Sequence, residues 1–374
     1  MDTRFDVVVI GAGIAGATTA AALSPDRRVA LIEAEEQAGY HTTGRSAATW
    51  IQNYGPPDVR RLTSLSRDFF ESPPAGFAEV PLMKRRASVF LAPASQVAQL
   101  DGLLAEGVGL RPIAVGDLPA MVPALRPDYA AAAAIEEDAL DLDVAAIHQG
   151  FLRQLRGNNG VLALRHRAGR IERHADAWEV HTGAGAIFRA PVVVNAAGAW
   201  GDEVAAIAGV RPLGLLPCRR TAVIVDPSPW DASEWPVVGD VASTWYARPE
   251  ARTRLLVSPA DETPMHAHDV RPDELDIALG IDRMQAALAI EVRRVEHSWA
   301  GLRTFTPDHS LAFGWDAAAE GFFWCVGQGG YGIQTSPAAG KLVADLIVGR
   351  DPGAAREVVA AVDPRRFVPD GGSE

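Results

Sequence analysis

Near the start of the chain the apolar run Val7-Val8-Val9-Ile10 leads into Gly11-Ala12-Gly13-Ile14-Ala15-Gly16, and Glu33 closes a second apolar run, Val29-Ala30-Leu31-Ile32. Strand, glycine turn, helix, strand and acid in this order predict a unit that binds a dinucleotide. Gly11 permits the tight turn, and Gly13 lets the backbone approach a pyrophosphate. Gly16 lets the following helix lie close on the sheet. The first N–H groups of that helix, around Ile14 and Ala15, would meet the anion. Glu33, with Ala34 behind it, can accept from the two ribose hydroxyls of an adenosine, and its charge disfavours a 2′-phosphate there.

The rest of the chain must position this unit. Its 374 residues predict about two domains, and a composition of 48% hydrophobic and 22% charged residues is that of a folded globular chain. A net charge of −12 argues against nucleic acid as a partner. No apolar run reaches the ~18 residues that would suggest a transmembrane segment. Met1 to Asp6 runs straight into the first strand and leaves no room for a cleaved leader, so a cytoplasmic location is expected. Cys218 and Cys325 read as core thiols in a reducing compartment, with neither a disulfide framework nor a metal site implied.

Further along, Ala87–Leu91 reads as a strand and Val97–Leu104 as helical. The segment 105–140, rich in Ala and Pro, shows no chemistry. Asp143 caps an amphipathic helix carrying Val144, Ile147, Phe151, Leu152 and Leu155, which Gly157-Asn158-Asn159-Gly160 stops. Val161–Leu164 reads as a buried strand, 178–182 and 186–190 as a hairpin, and Val192–Trp200 as a strand ending in small residues. Residues 221–225, 244–247 and 255–257 suit antiparallel strands, and 273–292 one helix. Phe322–Val326 is a strand, followed by the glycine loop Gly327–Gly332 and a helix from about Ser336. Cofactor-like texture thus occurs at the start, middle and end, with β-rich inserts between.

The stretches Gly39–Ala48, Val192–Trp200, Trp299–Arg303 with Thr306-Pro307-Asp308, and Gly327–Thr335 together resemble the FAD-dependent amino-acid oxidoreductases. That is the D-amino acid oxidase and glycine oxidase superfamily, and the pattern is most like its bacterial D-arginine dehydrogenases. The resemblance implies an α/β chain with a discontinuous Rossmann-like FAD-binding domain at 1–80, 141–215 and 301–374. An α+β substrate domain built on an antiparallel sheet would occupy 81–140 and 216–300. It also implies noncovalent FAD. Besides the first glycine turn, Thr42, Thr43, Gly44, Arg45, Ser46, Ala47, Ala48, Ala197, Gly198, Trp200, Arg303, Gly329, Gly330, Tyr331, Gly332, Ile333 and Gln334 would contact it.

The family's chemistry would be hydride transfer from Cα of a D-amino acid to flavin N5, after which the imino acid hydrolyses to a 2-keto acid and ammonia. Arg220 and Arg303 match the family's carboxylate-binding arginines, Tyr54 and Tyr246 its hydroxyls, and Gly330 the loop backbone facing the substrate amine. A guanidinium fork suits a carboxylate because two charge-assisted hydrogen bonds form in parallel. Two positions depart from the pattern. Ser88 stands where the D-arginine enzymes keep an acid for the substrate guanidinium, and Thr49 where they keep a histidine. A neutral substrate side chain is therefore expected, in a pocket of Trp50, Ser88, Val237, Gly239 and Trp245, with an acidic substrate reaching Arg85 or Arg86 as the lesser reading. The electron acceptor, a quinone or O2, stays open, as does a peripheral link to the respiratory chain. The alternatives are a glycine- or sarcosine-type oxidase, a 2-hydroxy-acid dehydrogenase using His41 as base, and an NAD-binding regulator without turnover.

Overall fold

The computed structural model of the chain describes residues 3–251 and 253–368. The first two residues and those after 368, which the expected cofactor domain includes, lie outside the described residues. Strands Val7–Ile10, Val29–Ile32, Val161–Ala163, Val192–Asn195, Ala312–Trp315 and Phe322–Val326 form one sheet. Val7–Ile10 lies between Val192–Asn195 and Val29–Ile32, all parallel, and only the Ala312–Trp315 edge runs antiparallel. Its central strands are almost wholly apolar because both faces are covered, Asn195 being the buried exception, bonded to the Gly201 carbonyl. Val7 and Val9 pack toward the helices Ile14–Leu23, Val144–Gly157 and Ser336–Val348. Val8 and Ile10 pack toward a three-stranded antiparallel meander, Ala168–His174, Ala177–Thr182 and Ile187–Ala190. Asp143 caps its helix as expected, its side chain accepting from Ala146 N at 2.8 Å.

The second large sheet has nine strands. Leu216–Val225 lies at its heart, paired antiparallel along nearly its whole length with His297–Phe305. Arg254–Ser258, Tyr246–Glu250, Val237–Asp240, Ser88–Ala92, Ala132–Glu136 and Leu110–Ile113 continue the sheet, and Thr263–Pro264 follows Arg254–Ser258 along the same edge of Leu216–Val225, opposite His297–Phe305. Its far face carries a separate core around Val223, Val238, Trp245 and Met284, closed by the helix Glu274–Ala287. A small sheet of Thr49–Trp50, Met83–Arg85 and Leu140–Leu142 completes the strands described here. No helix among the described residues is long and apolar enough to cross a membrane.

Four local expectations differ. The helix expected to reach 292 ends at Ala287, because Leu288 turns extended and bridges Leu125. Leu288 and Ile290 then bury with the two-residue period of a strand. Val161–Ala163 is a sheet edge, with Val161 itself 36% exposed. The strand expected from Thr244 begins at Tyr246, since Asp240 holds Thr244 N and Oγ1, both at 2.6 Å, in a turn. Finally, a domain boundary at 300/301 would fall inside the His297–Phe305 strand, so Arg303 sits on the large antiparallel sheet.

Candidate active site

A long cleft is lined by residues of both large sheets. Its lining includes Gly11, Gly13, Ile14, Ala15, Glu33 and Ala34 together with Arg220, Tyr246, Arg303, Gly329, Gly330, Gly332 and Ile333, and Gly332 comes so near the first helix that a Cβ on it would lie 3.3 Å from Ile14 Cγ2. Thr42, Thr43, Arg45, Ser46 and Ala47 flank it, as do Ala197, Gly198 and Trp200. Several bonds hold this frame. Ile14 N donates to Thr43 Oγ1 at 2.9 Å, Thr42 Oγ1 to the Leu302 carbonyl at 2.7 Å, and Trp299 Nε1 to the Arg45 carbonyl at 3.1 Å. Glu33 accepts from Ala12 N at 2.7 Å and Glu35 N at 3.0 Å, which leaves lone pairs for further donors.

Arg220 and Arg303 meet because of sheet register. Cys218 lies opposite Arg303 and Arg220 opposite Gly301, so the two arginines occupy diagonal positions from which long side chains converge. Arg303 Nη1 donates to Tyr54 Oη at 2.9 Å, and no carboxylate lies within ion-pair distance of it among the described residues. Arg220 is already engaged: Nε donates to the Asp261 carbonyl at 2.8 Å and Nη2 to Glu262 Oε1 at 2.7 Å. Gly330 closes the group. A Cβ built on it would stand 2.8 Å from both Arg303 Nη1 and Tyr54 Oη. Tyr331 packs edge-on against Tyr54, ring centroids 5.1 Å apart, and burial holds its phenol protonated far above the usual range.

Other residues singled out from the sequence lie outside the cleft lining. Trp50 is a core residue that donates Nε1 to the Thr63 carbonyl, and Trp245 belongs to the far core, where Nε1 meets Tyr129 Oη at 2.9 Å. Ser88, Val237 and Gly239 sit on neighbouring strands of the large sheet away from the lining. Gln334 is buried, with Nε2 on Thr63 Oγ1 at 2.8 Å, so its side chain fastens the chain near Ile51 instead of reaching the cleft. Gly16, Gly44 and Ala48 act as packing and turn positions. Arg85 pairs with Asp138, and Arg86 with Asp141, so neither is free to meet an acidic ligand. His41 does line the cleft, but it pairs with Glu35 at 3.2 Å and lies against Trp200. That places it toward Glu33, not beside Arg303. Burial raises both thiols, Cys218 to about 11 and Cys325 to about 12, and both are free and buried.

Three residues escaped the sequence reading. Glu136 lies directly opposite Ser88, is 1% exposed, and accepts from Gln52 N at 2.6 Å, Asn53 N at 3.3 Å and Asn53 Nδ2 at 2.7 Å. An acid is thus present beside Ser88, spent on the turn that delivers Tyr54; burial pushes its carboxyl up. Glu262 gave no signal as an exposed acid. His148 is buried and bonded to the Ala12 carbonyl at 2.9 Å, so it braces the glycine turn.

Burial holds the His148 imidazole below its ordinary value of 6.5, against a smaller opposite pull from Ala12. The unfolded chain therefore takes up this proton more readily, and stability is lost as pH falls below about 6.5. Replacing His148 with Gln should flatten the fall of the thermal midpoint between about pH 6.5 and 5. Equal slopes in variant and wild type would refute this role.

The family model for FAD dependent oxidoreductases matches residues 6–346. FAD-dependent oxidoreductase domain-containing protein 1 of Xenopus laevis is 29% identical over 175 residues, covering 42% of this chain and 34% of that protein. The chain spans about a third of the length of the first curated relatives it matches. In fold it is similar to L-proline dehydrogenase from P. horikoshii, with a TM-score of 0.85 at 21% identity and 98% of each chain covered. It is also similar to glycine oxidase from Geobacillus kaustophilus, with a TM-score of 0.82 at 21% identity, covering 93% of this chain and 96% of that one. The cofactor is FAD, and the cleft fits it. The glycine turn and helix start face the cleft with no acid in the first turn, as a pyrophosphate requires. Among the described residues, two buried polar atoms of the lining have no partner, Nδ1 of His166, whose backbone N–H donates to the Glu33 carbonyl, and Thr304 Oγ1 next to Arg303.

Proposed function

Because the chain belongs to the FAD-dependent oxidoreductase family, we propose that it oxidises the Cα–N bond of a D-amino acid with a neutral side chain. FAD, when bound, supplies the two-electron acceptor for the hydride leaving Cα. One observation carries the reading. Arg303 is an enclosed guanidinium whose side chain, among the described residues, is hydrogen-bonded only to the Tyr54 hydroxyl, and it faces the cleft. A carboxylate is the partner such a group lacks, since a buried cation without a counter-charge is costly. Arg303 and Tyr54 hold the α-carboxylate, and the Gly330 backbone leaves room for the amine and Cα to lie against the cofactor. These residues position the substrate and exclude water; proximity supplies much of the rate. A neutral side chain is supported by the engagement of Arg220, the cation of the lining beside Arg303, with Glu262 of the protein itself.

The fold relatives named above act, by their names, on L-proline and glycine, so the test spans both enantiomers. Anaerobic bleaching of the flavin should be fastest with D-Leu, D-Met or D-Phe and slow with D-Arg and D-Lys. Preference for L-enantiomers would overturn the stereochemical reading, and faster reduction by D-Arg or D-Lys the side-chain reading. No reduction by any amino acid would refute the function. Reoxidation in air then assigns the acceptor: slow reaction marks a dehydrogenase feeding a quinone, fast reaction an oxidase.

A further inference from the structure

Arg220 and Arg303 differ in what already neutralises them. Glu262, in the connection between Arg254–Ser258 and Thr263–Pro264, places Oε1 2.7 Å from Arg220 Nη2. The acid is 45% exposed at the side chain while its arginine is 11% exposed, so a carboxylate at the rim reaches down onto a buried cation. The neighbouring Asp261 faces elsewhere. Its carboxylate accepts from Thr221 N at 2.6 Å and Thr221 Oγ1 at 3.0 Å, and lies near Arg219, which pairs with Asp276 at 2.7 Å. Among the described residues, Glu262 is therefore the one acid in ion-pair contact with Arg220, and Arg303 has none. The hydroxyl groups of Tyr54, Tyr246 and Tyr331 also face this pair. At ion-pair distance, then, the two guanidiniums have one carboxylate between them, and it is on Arg220; the Asp261 carboxylate acts on Arg220 only through space.

We propose that Glu262 sets the charge of the substrate: by occupying Arg220 it limits the site to one carboxylate, held on Arg303, and repels a second. This inference rests on the carboxylate-binding reading above and adds a specificity residue to it. A dicarboxylate would have to bring its second charge beside Glu262, and like charges brought together in a partly desolvated site are strongly disfavoured. Removing the acid would instead leave Arg220 as a second anion site. Because Glu262 is at the rim, the discrimination should weaken as salt is raised.

The test uses FAD-loaded protein titrated with propionate and succinate, which cannot be dehydrogenated at an amine-bearing carbon, and reads binding from the flavin absorbance and from the thermal midpoint. Wild type should favour propionate, and Glu262→Gln should shift the propionate-to-succinate ratio of Kd values by at least about tenfold toward succinate. Glu262→Ala should do the same, which separates loss of charge from any new contact made by Gln. A ratio unchanged in both variants, or no binding of either probe by any of the proteins, would overturn the proposal. Binding is read without turnover, so the two readings can fail apart. A selectivity shift in a protein that oxidises no amino acid refutes the amino-acid reading alone. Turnover with an unmoved ratio refutes the role of Glu262 alone.

Discussion

Arg303→Met is expected to raise KM for the amino-acid substrate by about 100-fold or more, the cost range of removing one partner from a buried charge pair. The residue donates to Tyr54 and has no carboxylate partner among the described residues, so its unused N–H groups are the natural seat of the substrate's acid end. Met preserves much of the side chain's length and apolar contact, and the lost term is then the charge and its directed hydrogen bonds. FAD should remain bound, which the absorbance spectrum of the purified variant checks. Tyr54→Phe, which leaves Arg303 in place, should cost less, about 10- to 100-fold, the range of one hydrogen bond to a charged group. If Arg303→Met bound and reduced with unchanged constants, the carboxylate would have to be held elsewhere.

Gly16→Ala is expected to yield protein that binds FAD at least about 100-fold more weakly and is destabilised by about 1–3 kcal/mol. A Cβ at this position would lie 1.9 Å from the Gly11 carbonyl oxygen and 3.3 Å from Leu31 Cδ1. The first neighbour is backbone, so no rotamer relieves the clash, and the helix Ile14–Leu23 must move off the turn that it caps. That motion would disturb the helix N-terminus that we propose meets the pyrophosphate, coupling a packing fault to lost affinity. Gly13→Ala offers the contrast. Its nearest neighbour is the Thr43 hydroxyl at 3.3 Å, a side chain that can yield, so stability should change little while FAD affinity falls. Flavin released from deproteinised samples and the thermal midpoint separate the two. A Gly16→Ala protein that retained a full complement of flavin would show that the turn does not carry the cofactor.

Local pattern made the first sheet legible. Four consecutive apolar residues at Val7–Ile10, a glycine turn and an acid after the next strand read correctly because each property acts within a few residues. The same locality explains the failures. Leu288 and Ile290 continue an apolar count from a helix, yet the bridge to Leu125, more than a hundred residues away, draws that segment into extended backbone. Trp50 and Trp245 look like pocket walls by type alone, while packing assigns each to a core. The run Ala130–Ala134 looks like low complexity, but it leads into a strand paired on both sides, and that strand carries Glu136.

The sequence by itself determined the strand, turn and helix of the first unit and pointed to FAD, because the signal is a short-range requirement: small residues where a backbone would approach phosphate, and an acid where it would meet a ribose. It also named the arginines, through resemblance. Only the tertiary structure decided which charges are left over. Arg303 and Arg220 become neighbours through the register of two strands some 80 residues apart, and Glu262 arrives on a third segment to neutralise one of them. Whether a guanidinium is spent or available depends on every charge within a few ångströms, and no reading of linear spacing contains that sum.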